Sequence, residues 1–160
     1  MMARLFTVLC AATLLATNAL AAAPRPVVVE LFTSEGCSSC PPADSFLSEL
    51  NDTRADVLPL AFHVTYWNQL GWKDPFSLDD ADARQARYAQ RFRGFEYTPQ
   101  MVIDGKVEVV GSNRTAANNA IDQAVRNIDT AATVSGTREG GHISVTIGAG
   151  TGHARAVLVG

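Results

Sequence analysis

The sequence predicts an α/β fold, and two features of the 160-residue chain lead to that prediction. Short apolar runs rich in β-branched residues alternate with longer segments whose apolar residues recur at helical spacing. The order of these segments is β-α-β-α-β-β-α, followed by a further β-hairpin. We therefore expect a central mixed sheet of about four strands, flanked by helices, with a C-terminal β-hairpin extension.

Residues 1–23 have the layout of a secretory signal peptide. Arg4 supplies a positive charge, residues 5–20 are mostly apolar, and residues 21–23 offer small side chains for cleavage. The apolar part is about 16 residues long, which is short for a membrane span. We therefore predict an exported protein, periplasmic or secreted, without a membrane contact after cleavage. Cys10 would be lost with the leader.

The charge balance gives little support to nucleic-acid binding. The chain has 13 basic and 16 acidic residues, and loss of Arg4 makes the balance more acidic. The longest basic series, at 84, 87, 91 and 93, is explained by a solvated helix face. We expect no nucleic-acid partner.

The first predicted strand leads into a pair of closely spaced cysteines. Residues 27–32 form an apolar, β-branched run, and Cys37 and Cys40 follow at the start of a predicted helix. We predict Ser39 as the N-cap of this helix, with two prolines in its first turn. Its apolar face is formed by Ala43, Phe46, Leu47 and Leu50.

The middle of the chain predicts a strand, a loop and a helix. Residues 57–64 form the strand, in which Pro59 requires a position near the start or on a sheet edge. The loop, at 66–76, is unusually rich in aromatic residues. The helix is predicted at 79–92 and is expected to end at Gly94.

A β-hairpin and a last helix complete this predicted domain, which we place at 24–130. The hairpin pairs 98–103 with 106–110 across a turn at 104–105. Ser112 or Asn113 can cap the helix, whose apolar face is formed by Ala117, Ile121, Ala124, Val125 and Ile128.

The composition changes after this domain. Residues 131–160 are rich in Gly, Thr and Ser, and Ile143, Val145 and Ile147 alternate with polar residues. We interpret 131–160 as a β-rich C-terminal extension, with a truncated second domain as the alternative.

The cysteine pair allows three kinds of site. Without the leader, Cys37 and Cys40 are the remaining cysteines, and in an exported protein such a pair is expected to be oxidised or to cycle. A thiolate at Cys37 would be favoured by the free amides and the dipole of a helix N-terminus. The alternatives are a copper or zinc site, to which His63 could add a ligand, and a static disulfide.

Several blocks of the sequence resemble a known family. They cover much of 27–130 and are similar to a family of secreted bacterial thioredoxin-like proteins catalogued as a domain of unknown function. The blocks are VELFTSEGCSSCPPAD at 29–44, FHV at 62–64, YW at 66–67, LGWKDPFS at 70–77, RQ at 84–85 and YTPQM at 97–101. Three positions depart from the expected pattern: Gly36 replaces the usual Trp of thioredoxins, and Thr65 and Asn68 stand where we expect acidic residues.

The resemblance implies a thioredoxin-like fold and thiol–disulfide exchange. Cys37 would be the nucleophile and Cys40 the resolving thiol. Pro99 would be a cis-proline facing the sulfurs, and the Thr98 backbone would be free to pair with an extended substrate. Glu30 could exchange a proton with Cys40 if it is buried, the alternative being a solvent-facing carboxylate.

The predicted function is that of an exported thiol–disulfide oxidoreductase using a CxxC dithiol/disulfide couple. Its partner would be a protein or small molecule that contains a thiol or disulfide. No cofactor is expected, because the dithiol itself carries the electrons. The alternatives are a copper- or zinc-binding module and a thioredoxin-like binding domain with a static disulfide. The sequence leaves the direction of the reaction and the oligomeric state open.

Overall fold

The computed structural model describes residues 25–128 and 134–149. Outside these residues lie the predicted leader at 1–23 and the end of the predicted extension, which contains His153. Ten helices and strands are described. The strands are β1 (Val27–Thr33), β2 (Val57–His63), β3 (Gln100–Ile103), β4 (Val107–Val110), β5 (Val134–Glu139) and β6 (His142–Ile147), and the helices are α1 (Pro41–Thr53), α2 (Asp79–Phe92) and α3 (Arg114–Arg126), with a 3₁₀ turn at Asn68–Leu70.

Four strands form a mixed sheet in the order β2-β1-β3-β4, as predicted. β1 pairs parallel with β2 and antiparallel with β3, and β3 pairs antiparallel with β4. Pro59 therefore lies on an edge strand, one of the positions in which a strand tolerates proline. With three helices, this is the thioredoxin-like α/β arrangement that the sequence predicted.

The helices cover both faces of the sheet. α1 and α3 pack on one face, where Phe46 and Ile121 meet Leu31 and Met101 in the larger core cluster. α2 covers the other face, where Phe32 and Val102 lie in a smaller cluster lined by aromatic rings. Alternate residues of β1 therefore point into different clusters.

β5 and β6 form a separate two-stranded hairpin. Every residue of both strands is exposed in the described structure. Among the described residues, no helix combines the length and the apolar character that crossing a membrane requires.

Two helix ends differ from their predictions. The N-cap of α1 is Cys40, not Ser39, and no side chain caps it, because the cysteine turn brings Cys40 to the helix start. α2 ends at Phe92, and its C-cap is Arg93, whose φ of 57° is left-handed; the Gly94 amide donates to the Ala89 carbonyl. Asn113 caps α3 as expected, accepting a hydrogen bond from the amide of Ala116.

Candidate active site

The two cysteines lie between β1 and α1 and form a disulfide. Their Sγ atoms are 2.10 Å apart. Cys37 is only 2% exposed and Cys40 is fully buried. The sequence-predicted pair is therefore brought together, at the N-terminus of a helix, with little sulfur surface open to solvent.

The helix offers Cys37 fewer amides than the sequence suggested. Pro41 and Pro42 occupy its first two positions and have no N–H. The next two amides, from Ala43 and Asp44, both donate to the carbonyl of Cys40, at 2.8 and 3.1 Å. The first four positions of α1 therefore offer the sulfur no free amide, whereas Ser38 and Ser39 before the helix keep their N–H groups, and the dipole of α1 still favours a negative charge there.

Two hydroxyl groups stand beside the Cys37 sulfur instead. Thr98 Oγ1 lies 3.3 Å from Cys37 Sγ, and Ser39 Oγ lies 3.5 Å from it. The Thr98–Pro99 peptide bond is cis. The prediction of a cis-proline segment opposite the cysteines is therefore met in the geometry.

Trp67 joins this group from the aromatic loop. Its indole Nε1–H donates to Thr98 Oγ1 at 2.8 Å. A Cβ added at Gly36 would lie 3.1 Å from Trp67 Cβ, so the missing side chain at Gly36 lets Trp67 approach the cysteine turn.

Buried glutamines hold the cis-proline segment. The Gln85 side chain is fully buried and its Nε2 donates to the Tyr97 carbonyl at 2.7 Å and to Gln100 Oε1 at 3.0 Å. Gln100 in turn donates to Glu108. The backbone N–H and C=O of Thr98 itself make no hydrogen bond within the described part of the chain.

Asp74 ties the aromatic loop to the cysteine turn. It is 1% exposed and accepts hydrogen bonds from the amides of Glu35, at 2.8 Å, and Phe76, at 2.9 Å. His63 Nδ1 lies 2.7 Å from Asp74 Oδ2. Burial raises the pKa of Asp74, but the hydrogen bonds from His63, Glu35 and Phe76 outweigh it and hold the pKa below its usual value.

Thr65 and Asn68, which stand where the family pattern has acidic residues, have local partners. Thr65 donates its hydroxyl and its amide to the carboxylate of Asp82. Asn68 Oδ1 accepts the amide of Asp74, and Asn68 Nδ2 donates to Ser77. Both side chains therefore help to shape the loop that carries Trp67.

Glu30 is buried, so the solvent-facing alternative was wrong. Its carboxylate accepts from Arg84 and, at 2.7 Å, from the Tyr88 hydroxyl. Burial and the Glu30 carboxylate raise the pKa of Tyr88 to about 12. Neither partner is a cysteine, and the role of Glu30 in proton exchange with Cys40 stays a prediction.

The other candidate residues are not brought to the sulfurs. His63 is engaged with Asp74, and its ring packs edge-on against Phe76. Within residues 25–128 and 134–149, no three His, Cys, Asp or Glu side chains are grouped to hold a metal ion. Trp72 is 61% exposed and is therefore not part of the core. His142 pairs with Glu139 across the β5–β6 hairpin.

Sequence reasoning missed three contributors: Asp74, Gln85 and the indole of Trp67. Each occurs in a block that resembles the thioredoxin-like family, which was the available signal. Their partners lie far away in the chain, and no local periodicity reveals such contacts.

Comparison with known proteins gives a family. The model of a family described as "Protein of unknown function (DUF1223)" matches residues 28–159. The chain belongs to this family. The predicted resemblance to a family of unknown function is thereby confirmed, and the DUF1223 match extends into the β5–β6 hairpin. No curated protein matches the chain.

A solved structure is also similar. The crystal structure of protein AGR_C_4864 from Agrobacterium tumefaciens is 36% identical to this DUF1223 chain, with a TM-score of 0.73. The match covers 82% of this chain and 60% of that protein. The chain therefore spans less than two thirds of that relative's length.

Proposed function

We propose that this chain is an exported thiol–disulfide oxidoreductase that uses Cys37 and Cys40 as its redox couple. The observation that carries the proposal is the position of the Cys37 sulfur, 3.3 Å from the hydroxyl of Thr98, which precedes a cis-proline. The thioredoxin-like arrangement of the sheet and helices supports it. The disulfide is compatible with an oxidising, extracytoplasmic compartment.

The proposed reaction transfers two electrons from a dithiol to a disulfide. The Cys37 thiolate attacks a partner disulfide, which forms a mixed disulfide and releases one partner thiolate. The Cys40 thiolate then attacks Cys37 Sγ, restores the internal disulfide and releases the second partner thiolate. The partner is reduced and this chain is oxidised; the reverse sequence oxidises a partner dithiol.

The backbone of Thr98 supports a polypeptide partner. Its N–H and C=O have no hydrogen-bond partner among the described residues. An extended segment could pair with them while its sulfur approaches Cys37. A small thiol compound could react without this pairing.

Burial of both sulfurs favours a second candidate, a binding domain with a static disulfide. Structural cysteines are buried and unreactive, whereas catalytic cysteines are partly exposed, and Cys37 is only 2% exposed. Exchange therefore requires movement of the groups that cover Cys37. The two candidates differ in how easily the disulfide is reduced.

Trapping distinguishes these candidates. In Cys40→Ser, the second step is blocked, so an oxidoreductase should accumulate mixed disulfides through Cys37 when expressed with its leader. Cys37→Ser is the matched control, since it keeps one thiol but removes the proposed nucleophile. Absence of any Cys37-linked adduct in exported protein, under conditions in which adducts survive, would support the static disulfide.

A further inference from the structure

The Thr98 hydroxyl has a defined orientation because of Trp67. An indole N–H can only donate, so the hydrogen bond from Trp67 Nε1, at 2.8 Å, must end on a lone pair of Thr98 Oγ1. The hydroxyl proton of Thr98 is then directed to another acceptor. Cys37 Sγ, at 3.3 Å, lies within reach as that acceptor.

We propose that Trp67 is a positioning residue that aims the Thr98 hydroxyl at Cys37 and so stabilises the Cys37 thiolate after the disulfide is reduced. The proposal deepens the proposed function and rests on it, because an aimed hydroxyl matters only if Cys37 spends time as a thiolate. Trp67 touches neither sulfur in this role and acts through Thr98.

The surroundings of the sulfur make this hydroxyl important. Pro41 and Pro42 remove two helix amides, and the next two donate to the Cys40 carbonyl. A thiolate at Cys37 therefore depends on other donors, of which the hydroxyls of Thr98 and Ser39 are in place. Hydrogen bonds to a charged acceptor are stronger than those between neutral groups.

A second acceptor competes for the Thr98 proton. The Thr98 side chain acts to lower the pKa of Tyr66, whose own hydroxyl donates to Gln85 Oε1 at 3.3 Å. The phenol oxygen is neutral, because burial raises the pKa of Tyr66. A thiolate is the better acceptor, so reduction should draw the Thr98 proton towards Cys37.

The titratable groups around the cysteine turn are the same in every variant that tests this inference. Glu35 lies in the turn, Asp44 accepts from Thr33 at the start of α1, and Asp74 with His63 binds the Glu35 amide. Their effects on Cys37, together with that of Tyr66, cancel when variants at Thr98 and Trp67 are compared.

A double-mutant cycle tests the inference. All variants carry Cys10→Ser and Cys40→Ser, so that Cys37 is the one thiol that titrates, followed by thiolate absorbance. Thr98→Val should lower the acid dissociation constant of Cys37 by roughly tenfold or more, and Trp67→Phe by about two- to tenfold. Trp67→Phe should then have no further effect when Thr98→Val is present.

Controls keep this result interpretable. Trp72→Phe makes the same change at an exposed tryptophan and should leave the dissociation constant unchanged. Thr98→Ser keeps the hydroxyl and should resemble the parent. The inference is overturned if Trp67→Phe has no effect alone, or has an equal effect with and without Thr98→Val. Because the titration needs no partner, failure of the trapping experiment and failure of this cycle are separate outcomes.

Discussion

Two buried carboxylates, Glu30 and Asp74, differ in what they connect. Both are nearly inaccessible, at 2% and 1% exposure. Glu30 lies within the sheet and binds Arg84 and Tyr88 of α2. Asp74 lies in a loop and accepts a hydrogen bond from the backbone amide of Glu35, two residues before Cys37.

The difference shows that a carboxylate close to the cysteines in sequence need not contact the cysteine turn in the structure. Glu30 lies on β1, which leads into the cysteine turn, yet its partners stabilise the contact between β1 and α2. Asp74 lies far along the chain, yet it anchors the cysteine turn to the loop that carries Trp67. In the described structure Glu30 therefore contacts α2, and Asp74 contacts the cysteine turn.

The largest expected effect is that of Asp74→Ala. The amides of Glu35 and Phe76 and the His63 ring would lose their acceptor, and each unsatisfied buried donor costs about 1–3 kcal/mol. We expect the free energy of unfolding to fall by roughly 3–5 kcal/mol in denaturant titrations of the oxidised protein. Asp52→Ala, at an exposed position of α1, is the control and should change it by less than about 0.5 kcal/mol. A loss below about 1 kcal/mol in Asp74→Ala would contradict the anchoring role.

Glu30→Gln should have a smaller effect and one confined to stability. The substitution keeps the shape but weakens two hydrogen bonds by removing the charge, so we expect a loss of about 1–3 kcal/mol. The pH profile of thiol–disulfide exchange should be unchanged, because both carboxylate oxygens already have partners on α2. A profile that loses one titration step would instead assign Glu30 to proton exchange with Cys40.

Gly36→Ala should have a still smaller effect on stability but should act on the site. The added Cβ would meet Trp67 Cβ at 3.1 Å, so the loop must shift slightly, at a cost of about 1 kcal/mol. Gly141→Ala is the matched control, since a Cβ there meets nothing within 4 Å. Equal unfolding free energies for the two variants would show that Trp67 is not held closely against the turn.

The smallest expected effect is on the free energy of unfolding at acid pH. The pKa of Asp74 is held below its usual value by its hydrogen bonds, so its contribution to stability is present above that usual value, about 3.9. The contribution is lost as the pH falls towards the lower pKa of the folded state. Asp74→Asn removes this titration. As the pH falls below about 4, the free energy of unfolding of the variant should therefore fall less steeply than that of the parent. Parallel curves of unfolding free energy against pH for the two proteins would refute this stabilising role of the Asp74 carboxylate.

The elements of the fold could be predicted because their signals are local. The period of apolar residues located three helices, and the turn at Asp104 and Gly105 located the β3–β4 hairpin, where both residues have positive φ. Pro59 indicated a position near a strand start or on a sheet edge, and β2 is an edge strand. The N-cap of α1 could not be predicted in the same way, because it depends on how the cysteine turn closes.

The site could be predicted only in part. The spacing of Cys37 and Cys40 and the resemblance at Thr98 and Pro99 identified the residues that meet. The hydrogen bond from Trp67 to Thr98 depends on two loops meeting in space, which no pattern within either loop encodes. The loss of an amide at Pro41 follows from the sequence, but the engagement of the Ala43 and Asp44 amides with the Cys40 carbonyl does not.

The reduction potential of the Cys37–Cys40 disulfide tests the proposed redox role most directly. It can be measured on the oxidised chain by equilibration with dithiol buffers of known potential. A working couple should fall between about −120 and −270 mV, the range of disulfide oxidoreductases. A value well below about −300 mV, typical of structural disulfides in secreted proteins, would contradict the proposed function.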